Sequence, residues 1–151
     1  MDKTIKRDSS LQNGLNRKQI AALGEKYACE YFISLGYREI CRNWRSGRFG
    51  EIDLIMQDRD GVLVFVEVKT RRHTDDQQYH ADAVLQTINW RKQRKILICM
   101  RSYLARNVRT SQCCRADICI VYYGGAVSFG ESPELTDIEI LHIPDAFDAS
   151  R

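Results

Sequence analysis

Hydrophobic residues recur at helical spacing in two segments of the chain. In residues 17–35 they form one face of a predicted amphipathic helix, which Gly36 ends. That face consists of Ile20, Leu23, Tyr27, Ala28, Tyr31 and Leu35. In residues 80–106 the same spacing predicts a second helical region, with a break at Asn89 and Trp90.

Five other segments have the hydrophobic pattern of β-strands. They are residues 37–44, 51–58, 62–69, 115–123 and 135–143. The third, VLVFVEVK, is apolar and mostly β-branched up to its last residues, which is typical of a central strand covered on both faces. The pair Gly124-Gly125 after the fourth segment indicates a hairpin.

The element order predicts an α/β fold with a mixed central β-sheet flanked by helices. A helix comes first, then three strands, a helix, and two or three further strands. We expect a single domain over residues 17–145, between a mobile polar N-terminal tail (1–16) and a C-terminal tail (146–151). The 44% hydrophobic and 28% charged residues are typical of a soluble globular protein rather than a disordered one.

The second and third strand segments are joined by a turn that predicts their register. If residues 59–61 form a three-residue loop with glycine in third position, residues whose numbers add to 120 lie opposite each other. Asp53 then faces Glu67, and Glu51 faces Lys69. Directly opposed side chains have Cβ atoms about 5 Å apart, so the prediction brings two carboxylates together.

Two carboxylates this close repel each other, and the repulsion is stronger at the end of a buried strand, where the dielectric is low. A shared proton with a raised pKa offsets it, or a bound divalent cation does. Carboxylate oxygens are the ligands that Mg²⁺ or Mn²⁺ prefers. Lys69 lies on the face of Glu67, and it either positions a water at such a metal or forms an ion pair with Glu51.

Two further acids have weaker patterns. Glu25 borders the apolar face of the first helix and could reach the same cluster, although a glutamate in this position is more often a surface residue. Asp117, in the strand RADICIVYY, is interpreted as a buried acid paired with Arg115 or another arginine, rather than as an outer metal ligand.

The net charge of +3 is unevenly distributed along the chain. Residues 1–115 hold 22 basic and 13 acidic side chains, whereas residues 116–151 hold one basic and seven acidic ones. Basic side chains near the predicted carboxylates are candidates for contacts with a phosphate backbone, with a solvated surface as the alternative. They are Arg42, Arg45, Arg48, Arg71, Arg72 and Lys92. Trp44 and Trp90 could stack on unpaired bases, although packing at the core or its rim is the favoured role.

The remaining patterns bear on compartment and metal type. The sequence contains no run of about 18 apolar residues, so it predicts no membrane span. Its N-terminus also lacks the pattern of a signal peptide, so we expect a cytoplasmic protein. Its six cysteines are therefore expected to be reduced. The spacing of Cys113, Cys114 and Cys119 fits no common zinc site.

Three segments resemble the uncharacterised bacterial UPF0102 family, also called the YraN-like family. They are LGEKYACEYFISLGYREICRNWR, GEIDLIMQDRDGVLVFVEVKTR and WRKQRKILICMRSYL, within residues 21–122. GEIDLI followed by FVEVKTR is the specific part of the match. Family members usually have Arg-Phe-Asp where this chain has Arg115-Ala116-Asp117, and residues 72–80 lack an expected glycine.

That family is similar to the PD-(D/E)XK nucleases, especially Holliday-junction resolvases of archaea. The resemblance implies a restriction-endonuclease-like core. By this resemblance, Glu25 matches the acid of the first helix and Asp53 matches the acid of the second strand. Glu67 and Lys69 match the E-x-K pair, and Lys92 matches a basic residue of the later helix. It also suggests a homodimer.

The carboxylate cluster and this family resemblance together lead us to expect a Mg²⁺- or Mn²⁺-dependent endonuclease, and the resemblance implies a hydrolase that cuts DNA phosphodiester bonds at branched structures. Asp53 and Glu67 would hold the metal, with the carbonyl of Val68 as a further ligand and Glu25 binding directly or through water. Lys69 would position the attacking water. The alternative is a non-catalytic module with the same fold that binds nucleic acid or a protein partner.

Overall fold

The computed structural model of the protein describes residues 14–73, 81–108, 111–130 and 132–147. Its elements, in chain order, are α1 (Arg17–Ser34), β1 (Arg38–Arg45), β2 (Glu51–Gln57), β3 (Leu63–Arg72), α2 (Ala81–Thr87), α3 (Trp90–Asn107), β4 (Cys114–Tyr123), β5 (Gly125–Phe129), β6 (Ser132–Thr136) and β7 (Glu139–Phe147). No helix in these ranges is both long enough and apolar enough to cross a membrane. The N-terminal residues 1–13, which include most of the predicted tail, lie outside the described residues.

A five-stranded mixed sheet in the order β1-β2-β3-β4-β7 forms the centre of the fold. β3 and β4 run parallel, and every other neighbouring pair in this sheet is antiparallel. The parallel pair follows from the chain order, since α2 and α3 carry the chain back between β3 and β4. The predicted mixed sheet flanked by helices is confirmed, with β3 as its central strand.

The sheet separates two hydrophobic cores. One contains Phe65 of β3 and packs against α3, through Ile96, Cys99, Met100 and Tyr103. The other contains Val64 and Val66 of β3 and packs against α1. Because alternate residues of β3 face opposite cores, this strand is apolar on both faces, as its sequence predicts.

The first helix has the predicted extent but a different buried face. Asn16 caps its N-terminus in a capping box with Gln19, and Gly36 leaves it with φ +88°, as the sequence predicts. The buried residues are Gly24, Ala28, Cys29 and Phe32. Leu35, predicted to lie on that face, is 41% exposed. The buried face is therefore rotated towards Gly24, where the absence of a side chain lets α1 approach β3.

The register predicted for the β2–β3 hairpin is confirmed where the two strands pair. Residues 54–57 lie opposite residues 66–63, so that each pair of numbers adds to 120. Asp58 closes the connecting loop, because its carboxylate accepts hydrogen bonds from the backbone N–H groups of Asp60 and Val62 at 3.0 and 2.9 Å. The predicted break between the later helices is also confirmed, with Asn89 as the N-cap of α3.

Two predictions for the C-terminal part are wrong. The pair Gly124-Gly125 does not turn a hairpin with β4; the chain enters β5 there, and β5 pairs with β6 in a separate two-stranded sheet. The predicted last strand is two strands, β6 and β7, separated where Asp137 adopts φ +51°. β7 reaches Phe147, which is buried and pairs with Ala116, so the ordered sheet extends into the predicted C-terminal tail.

Asp117 has the structural role that the sequence favoured. It is fully buried in β4, and its carboxylate accepts hydrogen bonds from Arg115 Nε at 3.0 and 3.2 Å and from the backbone N–H of Asp145 at 2.9 Å. His142 Nε2 lies 2.8 Å from the same carboxylate. These contacts join β4 to β7 and satisfy a charge that would otherwise be costly to bury. The six cysteines are free thiols.

Candidate functional site

The candidate site begins where β2 and β3 stop pairing. Their ladder ends at Leu54 and Val66, and beyond it Asp53 uses its own carboxylate to accept the backbone N–H of Val68 at 2.8 Å. Side-chain alternation also breaks at Asp53, because Ile52 and Ile55 pack in the same core. The separated strand ends therefore leave a gap in the sheet, and Asp53 occupies it.

Glu67 is the most enclosed acid of the site, with only 3% of its surface exposed. One carboxylate oxygen, Oε1, lies 2.7 Å from Lys69 Nζ and 3.1 Å from Lys92 Nζ. The other oxygen, Oε2, is buried and has no hydrogen-bond partner. An ionised carboxylate with an unsatisfied buried oxygen is unfavourable, so Glu67 is suited to a further positive ligand.

Asp53 holds its proton much more tightly than an ordinary aspartate. Burial and the negative charge of Glu67 raise the pKa of its carboxyl, the hydrogen bond from Val68 lowers it, and the net pKa is about 7. The repulsion between the two predicted carboxylates is therefore present in the fold. A bound cation would relieve it and would favour the ionised form of Asp53.

Glu25 faces the same region from α1. Burial raises the pKa of its carboxyl, a hydrogen bond with the Asn43 side chain lowers it, and the charges of Glu51 and Glu67 raise it. Asn43 lies in β1 with φ +48°, a left-handed conformation that asparagine tolerates better than most residues. Sequence reasoning missed Asn43, because its role depends on this local irregularity in the strand.

The side chain of Lys92 extends from α3 and contacts the carboxylate of Glu67. Burial lowers the pKa of its ammonium group, but attraction to Glu67 outweighs this effect and the net pKa is raised. Lys92 therefore stays charged beside Glu67, and Lys69 Nζ makes a shorter contact with the same carboxylate oxygen. The ion pair with Glu51, which was the alternative role for Lys69, is not found: Glu51 instead pairs with Arg45 at 3.2 Å.

All four predicted catalytic residues line one open cavity of about 540 Å³. Glu25, Asp53, Glu67 and Lys69 are joined there by Val68 and Lys92, as the sequence predicted, and by Arg17 and Arg71 at the edge. Arg17 was not predicted. It lies eight residues before Glu25 with Ala21 between them, a helical spacing that could have placed it on this face of α1.

The other predicted phosphate-binding residues have different surroundings. Arg42 is engaged by Glu39, at 2.6 and 2.9 Å, and by the thiol of Cys29. Arg48 lies over the ring of Phe49 in the β1–β2 loop, and Arg72 is exposed at the end of β3. None of the three lines the cavity that holds the acids.

The donor set of the cavity fits a cation that keeps several non-protein ligands. Among the described residues, no three histidine, cysteine, aspartate or glutamate side chains converge as a preformed metal cluster. The half-buried carboxylate of Asp53 and the free oxygen of the buried Glu67 instead offer two carboxylate ligands. Mg²⁺ is commonly held by one or two carboxylates together with waters and substrate phosphates, so this pair suits it better than it suits zinc.

Comparisons with known proteins identify the family of the chain. The model of the uncharacterised protein family UPF0102 matches residues 24–121. A UPF0102 protein of Polaromonas naphthalenivorans is 40% identical over 144 residues, covering 94% of this chain and 87% of its own. One of Treponema pallidum (strain Nichols) is 34% identical over 134 residues, covering 88% and 95%. One of Symbiobacterium thermophilum is 43% identical over 101 residues, covering 67% and 80%.

The solved structures that match include that of Pyrococcus furiosus SfsA in complex with Ca²⁺. It covers 84% of this chain and 61% of its own at 14% identity, with a TM-score of 0.24. A superposition of this quality supports no argument about fold or function.

Proposed function

The chain belongs to the UPF0102 family, and from the neighbouring carboxylates of Asp53 and Glu67 we propose that it is a Mg²⁺- or Mn²⁺-dependent endonuclease that hydrolyses DNA phosphodiester bonds. One observation carries the proposal: Glu67 keeps a buried, unsatisfied oxygen beside Asp53, whose pKa is raised to about 7. Opposed acids at this depth are unfavourable without a cation, and a fold that needed only stability would gain from replacing them.

Asp53 and Glu67 would hold the metal, with the backbone carbonyl of Val68 and the carboxylate of Glu25 as further ligands, directly or through water. When bound, the cation would act as a Lewis acid towards the phosphodiester and would lower the pKa of a water. Ionisation of Asp53 accompanies binding, so metal affinity should rise as the pH approaches and passes about 7.

The two lysines supply fixed positive charge where the reaction needs it. Lys69 and Lys92 both reach Oε1 of Glu67, so their ammonium groups lie within one side chain of the proposed metal ligands. Lys69 would orient the attacking water, and either ammonium would stabilise the extra negative charge of the pentacovalent phosphate. Arg17 and Arg71, at the edge of the cavity, would contact the neighbouring phosphates.

A second function is favoured by one specific observation. Oε1 of Glu67 is already paired with two ammonium groups, and no third acid completes a cluster among the described residues. That arrangement also suits a non-catalytic module, which binds nucleic acid or a partner protein and uses the lysines to hold the strand ends together.

A cleavage assay separates the two functions. Labelled duplex, single-stranded, flap and four-way-junction DNA would be incubated with Mg²⁺ or Mn²⁺, and with chelator. We expect cutting that requires metal and falls at least about 100-fold in Glu67→Gln and in Lys69→Met.

The matched control is Glu139→Gln, which removes an exposed carboxylate from the far edge strand β7 and should cut like the parent. Cutting that survives in both site variants would identify a contaminating nuclease. Metal-independent DNA binding without cutting would favour the non-catalytic module.

A further inference from the structure

Four large hydrophobic residues are exposed in the described part of the chain, and two of them are aromatic. The four are Ile33, Leu35, Phe49 and Trp90. Phe49 is 47% exposed and Trp90 is 64% exposed. The guanidinium carbon of Arg48 lies 5.4 Å from the centroid of the Phe49 ring, and that of Arg91 lies 5.5 Å from the Trp90 ring. Each exposed ring is thus paired with a cation at the protein surface.

Trp90 is close in sequence to Lys92, a residue that lines the carboxylate cavity. It is the first residue of α3, two residues before Lys92, whose ammonium group contacts Glu67. Trp90 also borders a groove of about 360 Å³ on the outer side of the helix, together with Arg94 and Leu97. The 18 residues of α3 include six lysines or arginines and no aspartate or glutamate, so this helix offers a strongly basic surface.

Phe49 approaches the site from a different element. It lies in the loop of residues 46–50 between β1 and β2, and β2 reaches Asp53 four residues later. A Cβ atom on Gly50 would come 3.6 Å from the thiol sulfur of Cys99, so the loop lies against α3. Trp90 is therefore carried by a helix that contributes Lys92 to the cavity, and Phe49 by a loop that touches this helix and leads into β2, the strand of Asp53.

An exposed aromatic ring beside an arginine matches the two surfaces of an unpaired nucleotide. The ring can stack on the base, whatever its identity, and the guanidinium can contact the adjoining phosphate. Inside a duplex the bases are already stacked and the rings would find no partner. An acid-free basic helix next to such rings favours a polyanion over a protein surface of mixed charge.

We propose that Phe49 and Trp90 bind unpaired bases, so that the protein prefers DNA in which a single-stranded segment adjoins the phosphodiester at the cavity. The proposal rests on the proposed endonuclease function for its location, and it narrows the substrate to tailed, flapped or otherwise partly unpaired DNA. Of the two tryptophans, Trp44 packs against Tyr103, with ring centroids 5.3 Å apart, so Trp90 alone has an exposed ring for this role.

Binding can be measured without catalysis, by fluorescence anisotropy in the presence of chelator. The probes are a labelled duplex and the same duplex with a single-stranded tail of about ten nucleotides. We expect Trp90→Ala and Phe49→Ala each to weaken binding of the tailed DNA about 5- to 100-fold, and to change duplex binding less than about twofold. Trp90→Phe should retain most of the affinity, since it keeps a stacking ring.

The matched control is Ile33→Ala, which removes a hydrophobic side chain about as exposed as that of Phe49 from the end of α1 and should bind both probes like the parent. Equal losses on tailed and duplex DNA, or no loss in either aromatic variant, would overturn the proposal. Failure of both probes to bind the parent protein would also overturn the proposal, and would favour a protein partner as the ligand of the two exposed rings.

The same variants distinguish this proposal from the proposed function. Tail-selective binding that depends on Trp90 and Phe49, together with no cutting in Mg²⁺ or Mn²⁺, would support the inference and refute the endonuclease. Metal-dependent cutting of tailed DNA that is unchanged in both aromatic variants would support the endonuclease and refute the inference about Trp90 and Phe49.

Discussion

At the scale of single residues, Glu67 is in an unusual position for a buried acid. Lys69 and Lys92 both pair with one of its oxygens, and the second oxygen is buried without a partner. Shared contacts of this kind stabilise a carboxylate less than two separate ones would, because the unsatisfied oxygen keeps its desolvation penalty. We interpret this as stability given up for a ligand site, as is common where side chains do chemistry.

The raised pKa of Asp53 makes the stability of the metal-free protein depend on pH. In the unfolded chain this carboxyl ionises near pH 4, but in the fold its pKa is about 7. Between these values the folded state binds more protons than the unfolded state, so the free energy of unfolding falls as the pH rises from about 4 to about 7. Asp53→Asn removes this dependence and keeps an oxygen that can accept the Val68 N–H.

We therefore expect Asp53→Asn to be more stable than the parent protein, by an amount that grows between pH 4 and pH 7 and is constant above it. Thermal unfolding in chelator at a series of pH values measures the difference. Glu139→Gln, at an exposed position of β7, should give a difference that varies little with pH. If the stability difference between Asp53→Asn and the parent were constant from pH 4 to pH 7, the pKa of Asp53 would not be raised in the fold.

At the scale of elements, the position of α1 on the sheet depends on one glycine. A Cβ atom on Gly24 would come within 1.8 Å of Thr70 Oγ1, far inside van der Waals contact. Thr70 follows Lys69 in β3, so the closeness of helix and strand here also sets the distance from Glu25 to the other acids. A side chain at position 24 must push the helix away from the strand.

We expect Gly24→Ala to lower the free energy of unfolding by about 1–3 kcal/mol through overpacking, although alanine is the better helix former. Thr70→Ala removes the closest atoms, so the double variant should recover part of the loss. Gly14→Ala, with no neighbour within 4 Å, is the control. Denaturant unfolding measures the free energy of unfolding of the parent, Gly24→Ala, the double variant and Gly14→Ala. A Gly24→Ala variant as stable as the parent would show that α1 does not pack this closely against β3.

The elements also show what the sequence could predict. Local rules were sufficient for the β2–β3 register, because a short loop with glycine in third position leaves few ways to pair the strands. The site residues came from the family resemblance and from extending that register to Asp53 and Glu67, which lie just beyond the last paired residues, Leu54 and Val66. The buried face of α1 was misjudged because it is set by contact with Thr70, which is distant in sequence. The break at Asp137 also escaped prediction, since aspartate adopts a positive φ only where surrounding structure imposes it.

At the scale of the whole molecule, the uneven charge of the sequence becomes a difference between the two edges of the sheet. β1, at one edge, carries three arginines and one glutamate, whereas β7, at the other, carries two acids and no lysine or arginine. The carboxylate cavity opens between α1 and the ends of β2 and β3, on the basic half of the sheet. A polyanion would therefore be drawn towards the half of the molecule that holds the site.

Metal binding by Asp53 and Glu67 is the central claim, and its most direct test is the melting temperature of the whole protein with and without Mn²⁺ at pH 8. A ligand at about a hundredfold excess over its Kd should raise the melting temperature of a domain this size by about 5–10 °C. We predict that rise in the parent and in Glu139→Gln, and its loss in Glu67→Gln and Asp53→Asn. No rise in the parent, or an equal rise in Glu67→Gln, would contradict the claim.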